Sequence, residues 1–240
     1  MIKIEGLSFR YENMGGEVLD NIALTVAAGE AVGILGANGA GKSTLVNHLN
    51  GVLLPARGSV VVDGMAVSSK TLETIRKKVG LVFQNPDDML FMPRIIDDVL
   101  FGPRNLGMDE HAAYHAAEKV LKELDLWDLR ERPPFTLSQG QRRFAAMACV
   151  LVMNPSVLVL DEPTSDLDPR HRRKLIALLN GLDITRVIVS HDLDFIWDTC
   201  PRVVLLANGR VVADGAAKEI LSDKKLLEDN GLELPLRLCR

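Results

Sequence analysis

The sequence feature that most constrains the fold is a glycine-rich turn at residues 36–43 that directly follows a short apolar run. The turn contains Gly-Ala-Asn-Gly-Ala-Gly-Lys-Ser and matches the pattern GxxxxGK[ST]. Glycines let backbone N–H groups wrap around a phosphate without side-chain clashes, and the helix that follows points its positive end at the same place. A strand, a phosphate-binding turn and a helix in this order predict an α/β nucleotide-binding core.

Two residues of the turn have distinct expected roles. Lys42 is expected to reach the β and γ phosphates of a nucleotide, and the Ser43 hydroxyl is expected to coordinate Mg²⁺. A chance match to this pattern has a probability on the order of 1% at average glycine usage, which disfavours a purely structural loop. The expected nucleotide-binding residues of this segment are Gly36, Ala37, Asn38, Gly39, Ala40, Gly41, Lys42, Ser43 and Thr44.

Strand and helix signals alternate along the chain, with one interruption. Helices are predicted at residues 42–50 and 71–77, and amphipathic helices at residues 109–124 and 138–152. Strands are predicted at residues 2–9, 22–27, 31–35, 60–62, 79–83, 157–160, 186–190, 203–206 and 210–213. Strands that alternate with helices indicate βαβ units and a parallel sheet.

Strand signals vanish between about residues 85 and 155. We therefore predict an α/β core formed by residues 1–84 and 156–215, with a helical subdomain, residues 85–155, inserted into it. A short helical tail, residues 216–240, is expected to follow.

Two carboxylates follow an apolar strand in the second half of the chain. Residues 157–160 are Val-Leu-Val-Leu, and they precede Asp161 and Glu162. In α/β sheets, ligands bind at the carboxyl ends of the strands. Asp161 is expected to bind Mg²⁺ and Glu162 to polarise an attacking water. Together with the upstream turn, this pair predicts nucleotide hydrolysis.

A five-residue motif at 137–141, Leu-Ser-Gln-Gly-Gln, resembles the signature of ABC ATPases, which is usually Leu-Ser-Gly-Gly-Gln. Ser138 is an N-cap residue, so its hydroxyl and the helix N-terminus converge on an anion. In the family, that anion is the γ-phosphate of ATP held by the other subunit. The resemblance implies this contact for Ser138, Gln139, Gly140 and Gln141. Gln139 departs from the usual glycine, but Ser138 and Gly140 are kept, so function is expected to survive.

The remaining motifs of that family follow in order. Gln84 resembles the Q-loop glutamine that senses Mg²⁺ and contacts the membrane partner. Residues 165–168, Ser-Asp-Leu-Asp, are similar to the D-loop, which is usually Ser-Ala-Leu-Asp, so Asp168 is the matching aspartate. His191 matches the switch histidine that contacts the γ-phosphate, and Tyr11 stands where the family has an aromatic that stacks on adenine.

The resemblance spans roughly residues 1–220 and implies both a fold and an assembly. The implied fold is a P-loop NTPase (RecA-like) core with an antiparallel β subdomain and an inserted helical subdomain. Two copies are expected to bind head to tail with ATP and Mg²⁺ between them. All motifs lie in one chain, so a homodimer is the simpler expectation, and a heterodimer with a related ATPase stays open.

A narrower resemblance follows Gln84. Residues 83–91 and 97–103 are similar to the energy-coupling-factor branch, which imports cobalt, nickel and vitamins, and residues 214–235 are most similar to its cobalt and nickel members. The branch implies that integral membrane coupling and substrate-binding subunits dock near residues 84–101. The acidic residues there are expected either to receive basic coupling helices or to form a solvated surface; they are Asp87, Asp88, Asp97 and Asp98.

The composition of the chain indicates where in the cell the protein is expected to work. The chain of 240 residues has a formal net charge of −4, without the basic excess of a nucleic-acid binder. Its three cysteines are far apart, as expected for a reducing cytoplasm. No signal peptide is expected, and the longest apolar run, residues 145–153, is about half of the ~20 residues that a spanning helix needs. We expect a peripheral location at the cytoplasmic face of the inner membrane.

The sequence disfavours two other classes of protein and one metal site. Soluble ABC ATPases of DNA repair or translation have long coiled-coil inserts or two cassettes, and neither feature is present. A P-loop kinase or GTPase would not need residues 137–141, and the guanine-reading Asn-Lys-x-Asp is absent. His111 and His115 share a helix face at i,i+4 spacing, but without a neighbouring third ligand we assign no metal site to them.

Overall fold

The computed structural model describes residues 1–12 and 15–239, which form two β-sheets with helices packed around them. The smaller sheet is antiparallel throughout. Its strands, in spatial order, are β2 (Leu19–Val26), β1 (Ile2–Phe9), β4 (Arg57–Val62) and β5 (Met65–Ala66). Strand β2 begins three residues before its predicted start, since Leu19 pairs with Phe9.

The larger sheet has six strands and is parallel except at one edge, where its first two strands pair antiparallel. In spatial order its strands are β10 (Arg210–Ala216), β9 (Arg202–Ala207), β3 (Ala31–Leu35), β8 (Thr185–Val189), β7 (Val157–Asp161) and β6 (Val79–Val82). The two sheets and the helices between β6 and β7 confirm the predicted mixed α/β fold with a helical insertion.

The central strands are buried on both faces because helices or the second sheet cover each side. Alternation along β7 sends Leu158 and Leu160 into one hydrophobic cluster, and Val157 and Val159 into the other. The first cluster lies under the helical segment, and the second lies between helix α1 (Lys42–Leu49) and the smaller sheet. This double burial explains why these strands are continuous apolar runs in the sequence.

The helices after α1 are α2 (Leu72–Lys78), α3 (Ile95–Asn105), α4 (Glu110–Glu123), α5 (Gln139–Leu151), α6 (Pro169–Gly181), α7 (Leu193–Thr199), α8 (Ala217–Ser222) and α9 (Lys224–Asp229). Helix α3 packs on α4 and α5 and was not predicted individually. Its β-branched residues Ile95, Ile96 and Val99 and the internal Pro103 weaken the local helix signal. Burial of its apolar face against α5 stabilises it instead.

The most apolar part of the chain, residues 145–153, lies largely in α5. That helix is 13 residues long and packs its apolar face into the core. Within the described ranges, 1–12 and 15–239, no helix is both long enough and apolar enough to span a bilayer.

Candidate nucleotide site

A cleft at the carboxyl ends of β3 and β7 gathers residues that lie far apart in the sequence. Parallel pairing of β3 and β7 with β8 between them brings these strand ends to one edge of the sheet. The cleft is lined by Tyr11, Val18, Gly36, Ala37, Asn38, Gly39, Gly41, Lys42, Ser43, Thr44, Gln84, Glu162, His191, Gly231 and Leu232. Of the predicted ATP-binding turn, Ala40 alone is not in this lining, and it is buried behind the turn.

The turn between β3 and α1 needs glycine for steric reasons at its first position. Gly36 has φ 151°, and a Cβ there would lie 2.3 Å from the Leu206 carbonyl oxygen. Any other side chain would therefore push the turn away from β9. The backbone of the turn is held close to the sheet, and the N-terminus of α1 faces the cleft.

Lys42 lies across the turn and is largely buried. Its Nζ donates to the carbonyl oxygens of Gly36, at 2.7 Å, and Ala37, at 3.1 Å. Burial lowers the pKa of Lys42, while the nearby Glu162 and Asp161 carboxylates act in the opposite direction. The ammonium group is thus placed among the turn carbonyls and faces two acidic groups.

Asp161 ends strand β7 and meets the requirements of a cation ligand. Burial raises its pKa, and repulsion from Glu162 adds to this, whereas Ser43 and Lys42 lower it. Its Oδ1 is buried and has no hydrogen-bond partner among the described residues. An unsatisfied carboxylate oxygen beside a serine hydroxyl matches the hard oxygen ligands that Mg²⁺ takes. These residues therefore fit a magnesium ion.

Glu162 is held in an unusual backbone conformation by its neighbours. Its φ is +47°, in the left-handed region that costs a non-glycine residue about 1 kcal/mol or more. The Glu162 N–H donates to the Val189 carbonyl at 2.8 Å. The Glu162 Oε2 accepts from the His191 backbone N–H at 3.1 Å and lies 2.7 Å from the His191 Nδ1. The carboxylate is consequently fixed at the cleft while the histidine ring stays exposed.

Tyr11 lies beside the phosphate-binding turn. Its hydroxyl is 3.2 Å from the Thr44 Oγ1, and its ring meets Phe9 edge-on at 5.1 Å. The residue is 37% exposed, so one ring surface is available to the cleft. The geometry is compatible with stacking of Tyr11 on adenine, and that role stays a prediction.

The predicted signature residues lie outside this cleft, at the N-terminus of α5. The Gln141 N–H donates to the Ser138 Oγ at 3.3 Å, and the Gln141 Oε1 accepts from the Ser138 N–H at 3.0 Å. This reciprocal capping box leaves the Gln141 side chain engaged within its own helix. Gly140 is packed against His171, whose ring would lie 2.7 Å from a Cβ at that position.

Asp168 is also outside the cleft, at the start of α6. Its Oδ1 accepts from the backbone N–H groups of Arg170 and His171, and its Oδ2 lies 2.7 Å from the His171 Nδ1. These contacts lower the pKa of Asp168, chiefly through the His171 backbone N–H. The Asp168 carboxylate therefore caps α6 in addition to any role at an interface.

Arg143 is a buried connecting residue that sequence reasoning missed. Its guanidinium donates to the carbonyls of Phe83, at 3.4 Å, and Gln84, and on the other side to Ser165 at 3.1 Å. Burial lowers its pKa. The available signal was an arginine directly before the apolar run 144–151 of α5. Arg143 links three segments: the end of β6, the loop after β7, and α5, the helix that follows Ser138.

The C-terminal tail supplies a second unpredicted part of the site. Gly231 and Leu232 line the cleft next to Ala37. Arg237 anchors the tail to α7, with its Nε 2.6 Å from the Asp194 Oδ1 and its Nη2 2.8 Å from the Asp198 Oδ1. The tail is therefore held against the helix that follows His191.

Asp98 does not belong to an exposed acidic surface. It is 3% exposed, and its Oδ1 accepts from the backbone N–H groups of Phe91, at 3.0 Å, and Met92, at 2.9 Å. Burial raises its pKa. Asp97 instead pairs with Arg94 at 2.7 Å. Both alternatives expected for Asp98, a docking charge and a solvated surface, are wrong, because its buried carboxylate anchors the loop that presents Phe91.

We expect Asp98→Ala to destabilise the fold by about 2 kcal/mol, because the partly buried N–H groups of Phe91 and Met92 lose their acceptor. Asp98→Asn keeps an amide oxygen in place and should cost less. Urea unfolding measures both changes, and Asp97→Ala is the control, with about 1 kcal/mol or less because its ion pair is at the surface. Equal stability of the wild-type protein and Asp98→Ala would contradict the anchoring role.

His111 and His115 approach each other on α4. Their Nε2 atoms are 3.2 Å apart, and the His115 Nδ1 is 3.7 Å from the Glu118 Oε2. Across residues 1–12 and 15–239, no cluster of three or more His, Cys, Asp or Glu side chains has a metal-binding arrangement. The pair is accordingly left without an assigned function.

Comparison with known proteins agrees with this geometry. Residues 19–165 match the family model described as ABC transporter. The chain is 48% identical to the energy-coupling factor transporter ATP-binding protein EcfA of Carboxydothermus hydrogenoformans, covering 98% of this chain and 87% of that protein. It is 44% identical to the cobalt import ATP-binding protein CbiO of Rhodobacter capsulatus, covering 98% of this chain and 86% of that protein.

A solved structure gives the same result for the fold. The structure of cbiO1 from Clostridium perfringens, part of the ABC transporter complex cbiONQ, superposes with a TM-score of 0.82 and 36% identity. The match covers 95% of this chain and 93% of that one.

Proposed function

This chain belongs to the ABC transporter family as an ATPase of the energy-coupling-factor and cobalt-importer type, and we propose that it drives the uptake of cobalt or nickel ions. The observation that supports the assignment most is its 44% identity to a cobalt import ATPase along nearly the whole chain. The chain is 48% identical to an energy-coupling factor transporter ATP-binding protein, so a vitamin importer is the alternative cargo class.

In the proposed mechanism, the turn residues bind the triphosphate and Glu162 polarises the attacking water. Lys42 places its positive charge on the β and γ phosphates once it exchanges the carbonyls of Gly36 and Ala37 for them. His191 fixes the position of the Glu162 carboxylate, and the Val189 carbonyl holds the Glu162 backbone. Mg²⁺, held by Ser43, Asp161 and Gln84, would neutralise charge on the phosphates.

The proposed assembly is a homodimer with two shared ATP sites. Ser138 is exposed at the N-terminus of α5 and lies outside the cleft of its own chain, so it is available to a nucleotide bound by a second copy. Its hydroxyl and the free N–H groups of the helix are suited to a γ-phosphate. Each site would then be complete only when two copies meet.

The proposed docking surface for the membrane subunits is an exposed aromatic pair. Phe91 is 61% exposed and Phe101 is 41% exposed, with ring centroids 5.0 Å apart in an edge-to-face arrangement. Large exposed apolar side chains that lie together are typical of interaction sites. Such docking would hold the chain at the cytoplasmic face of the membrane.

A short path of contacts leads to the shared site from residues 84–91, the segment that also carries Phe91. Asp87 lies 3.5 Å from the Nε of Arg142 in α5, and the neighbouring Arg143 binds the Gln84 carbonyl. Movement of the docking surface would therefore shift the helix whose N-terminus carries Ser138. This connection supports the proposed coupling between dimer closure and the membrane subunits.

The proposal is tested by co-purification from membranes and by uptake. We expect the tagged chain to purify with integral membrane proteins, and Phe91→Ala to weaken that association by about thirtyfold, since an aromatic hot spot at an interface contributes about 2 kcal/mol. Cells that express the complex should accumulate labelled cobalt or nickel in an ATP-dependent manner.

The matched control is Val212→Ala, which truncates another exposed apolar residue, on β10, and should leave the yield unchanged. Recovery of nucleic acid instead of membrane proteins would contradict a transport role. Uptake of a labelled vitamin without cobalt or nickel would replace the proposed cargo with the alternative one.

A further inference from the structure

Two residues that depart from the usual motifs bind each other. Gln139 stands where the signature usually has glycine, and Asp166 stands where the D-loop usually has alanine. The Gln139 Nε2 donates to the Asp166 Oδ2 at 3.0 Å, although the residues are 27 positions apart. The hydrogen bond thus joins the N-terminus of α5 to the loop between Glu162 and α6.

The loop that contains Asp166 is held by a second contact. Arg143 donates to the carbonyl of Ser165 at 3.1 Å, and its guanidinium attracts the Asp166 carboxylate. Asp166 has φ +62°, a left-handed conformation that orients this part of the loop. Its carboxylate is consequently held between a side-chain amide and the field of a buried cation.

The charge of Asp166 matters because of where it lies. Its side chain is exposed beside the N-terminus of α5, where the proposed dimer brings the triphosphate of a second copy. A carboxylate that turned toward this triphosphate would repel it and weaken association of the two copies. The amide of Gln139 donates to the carboxylate and keeps it directed toward its own subunit.

We propose that Gln139 is a positioning residue that holds the Asp166 carboxylate within its own subunit and so keeps this negative charge from the partner's ATP. The inference rests on the proposed dimeric function. It adds a role for Gln139 and Asp166, the two residues that depart from the usual motifs. It has a specific consequence: loss of Gln139 is harmful only while Asp166 is present. A residue that merely caps or fills space would show no such dependence.

The test is a double-mutant cycle in the full-length Glu162→Gln protein, whose slow turnover lets ATP-driven dimerisation be measured at equilibrium. Gel filtration with light scattering gives the ATP concentration for half-maximal dimer. We expect Gln139→Ala to raise this concentration about fivefold, as a freed charge near the nucleotide would. Asp166→Ala should lower it slightly, and the double variant should behave like Asp166→Ala.

The dependence on ionic strength distinguishes an electrostatic effect of Gln139→Ala from a structural one. Raising KCl from 0.1 M to 0.5 M should remove most of the Gln139→Ala effect, because added salt screens exposed charges. Both side chains are exposed, so thermal unfolding midpoints of all variants should match the parent, which checks that folding is intact. A salt-independent effect would show that Gln139 acts through local structure and would overturn the inference.

Two further outcomes distinguish this inference from the proposed function. If the Glu162→Gln parent forms no dimer with ATP, the proposed dimeric function is refuted, and the inference falls with it. If the parent dimerises but Gln139→Ala has no effect, or has the same effect when residue 166 is alanine, the inference alone is refuted.

Discussion

Replacement of Glu162 by glutamine is expected to lower the ATP turnover rate by about 10²–10⁴-fold, the range for loss of a general base. The amide keeps the size of the side chain and its contact with His191 but cannot accept a proton from water. ATP binding should persist, because Lys42 and the turn at residues 36–43 are unchanged. The variant should therefore accumulate as an ATP-bound dimer, which phosphate release and gel filtration measure together.

The matched control is Glu228→Gln, the same change at an exposed residue that pairs with Lys224 on the tail. Its turnover should equal that of the wild-type protein. Hydrolysis by Glu162→Gln at the wild-type rate would show that another group activates the water. The proposed role of Glu162 would then be wrong.

Replacement of Arg143 by methionine is expected to lower the free energy of unfolding by about 3 kcal/mol, because carbonyls of Phe83, Gln84 and Ser165 lose their donor. Relief from burying a charge offsets part of that loss. The ATP turnover rate should also fall, since the loops at Gln84 and Ser165 would no longer be hydrogen-bonded to α5. Urea unfolding and ATPase rates at saturating ATP measure the two effects.

Two arginine variants control for this change. Arg143→Lys keeps the charge but lacks the planar fork that reaches both sides, so an intermediate loss is expected. Arg142→Met removes the neighbouring arginine, whose partly buried side chain lies 3.5 Å from the exposed Asp87, and should cost about 1 kcal/mol or less. An unfolding free energy of Arg143→Met equal to that of Arg142→Met would refute the connecting role.

Much of the fold could be predicted because its signals are local. The apolar runs at residues 31–35 and 157–160 coincide with strands β3 and β7, because both faces of these strands are buried. Helix α3 was not found, since its β-branched residues and Pro103 depart from a simple helical pattern. Its formation depends on packing against α5, which is a contact between distant parts of the chain.

The residues of the candidate site also divide into those that local sequence indicates and those that only the fold brings together. The glycine-rich turn, the acidic pair at 161–162 and the motif at 137–141 are each contiguous, so a site could be predicted at them from residue type and order. The buried position of Asp98 was not predictable, because its sequence neighbourhood looks like an acidic surface. Only the fold shows that its carboxylate faces the backbone of Phe91 and Met92.

The sequence by itself determined which motifs are predicted to bind phosphate, because each motif is a contiguous run of residues. The tertiary structure alone decided how these motifs are connected. Arg143 joins two loops to α5, the tail reaches the cleft at Gly231, and Gln139 meets Asp166 across 27 positions. The physical reason is that a hydrogen bond between distant residues leaves no periodicity or spacing in the chain, and it exists only once packing has brought its partners together.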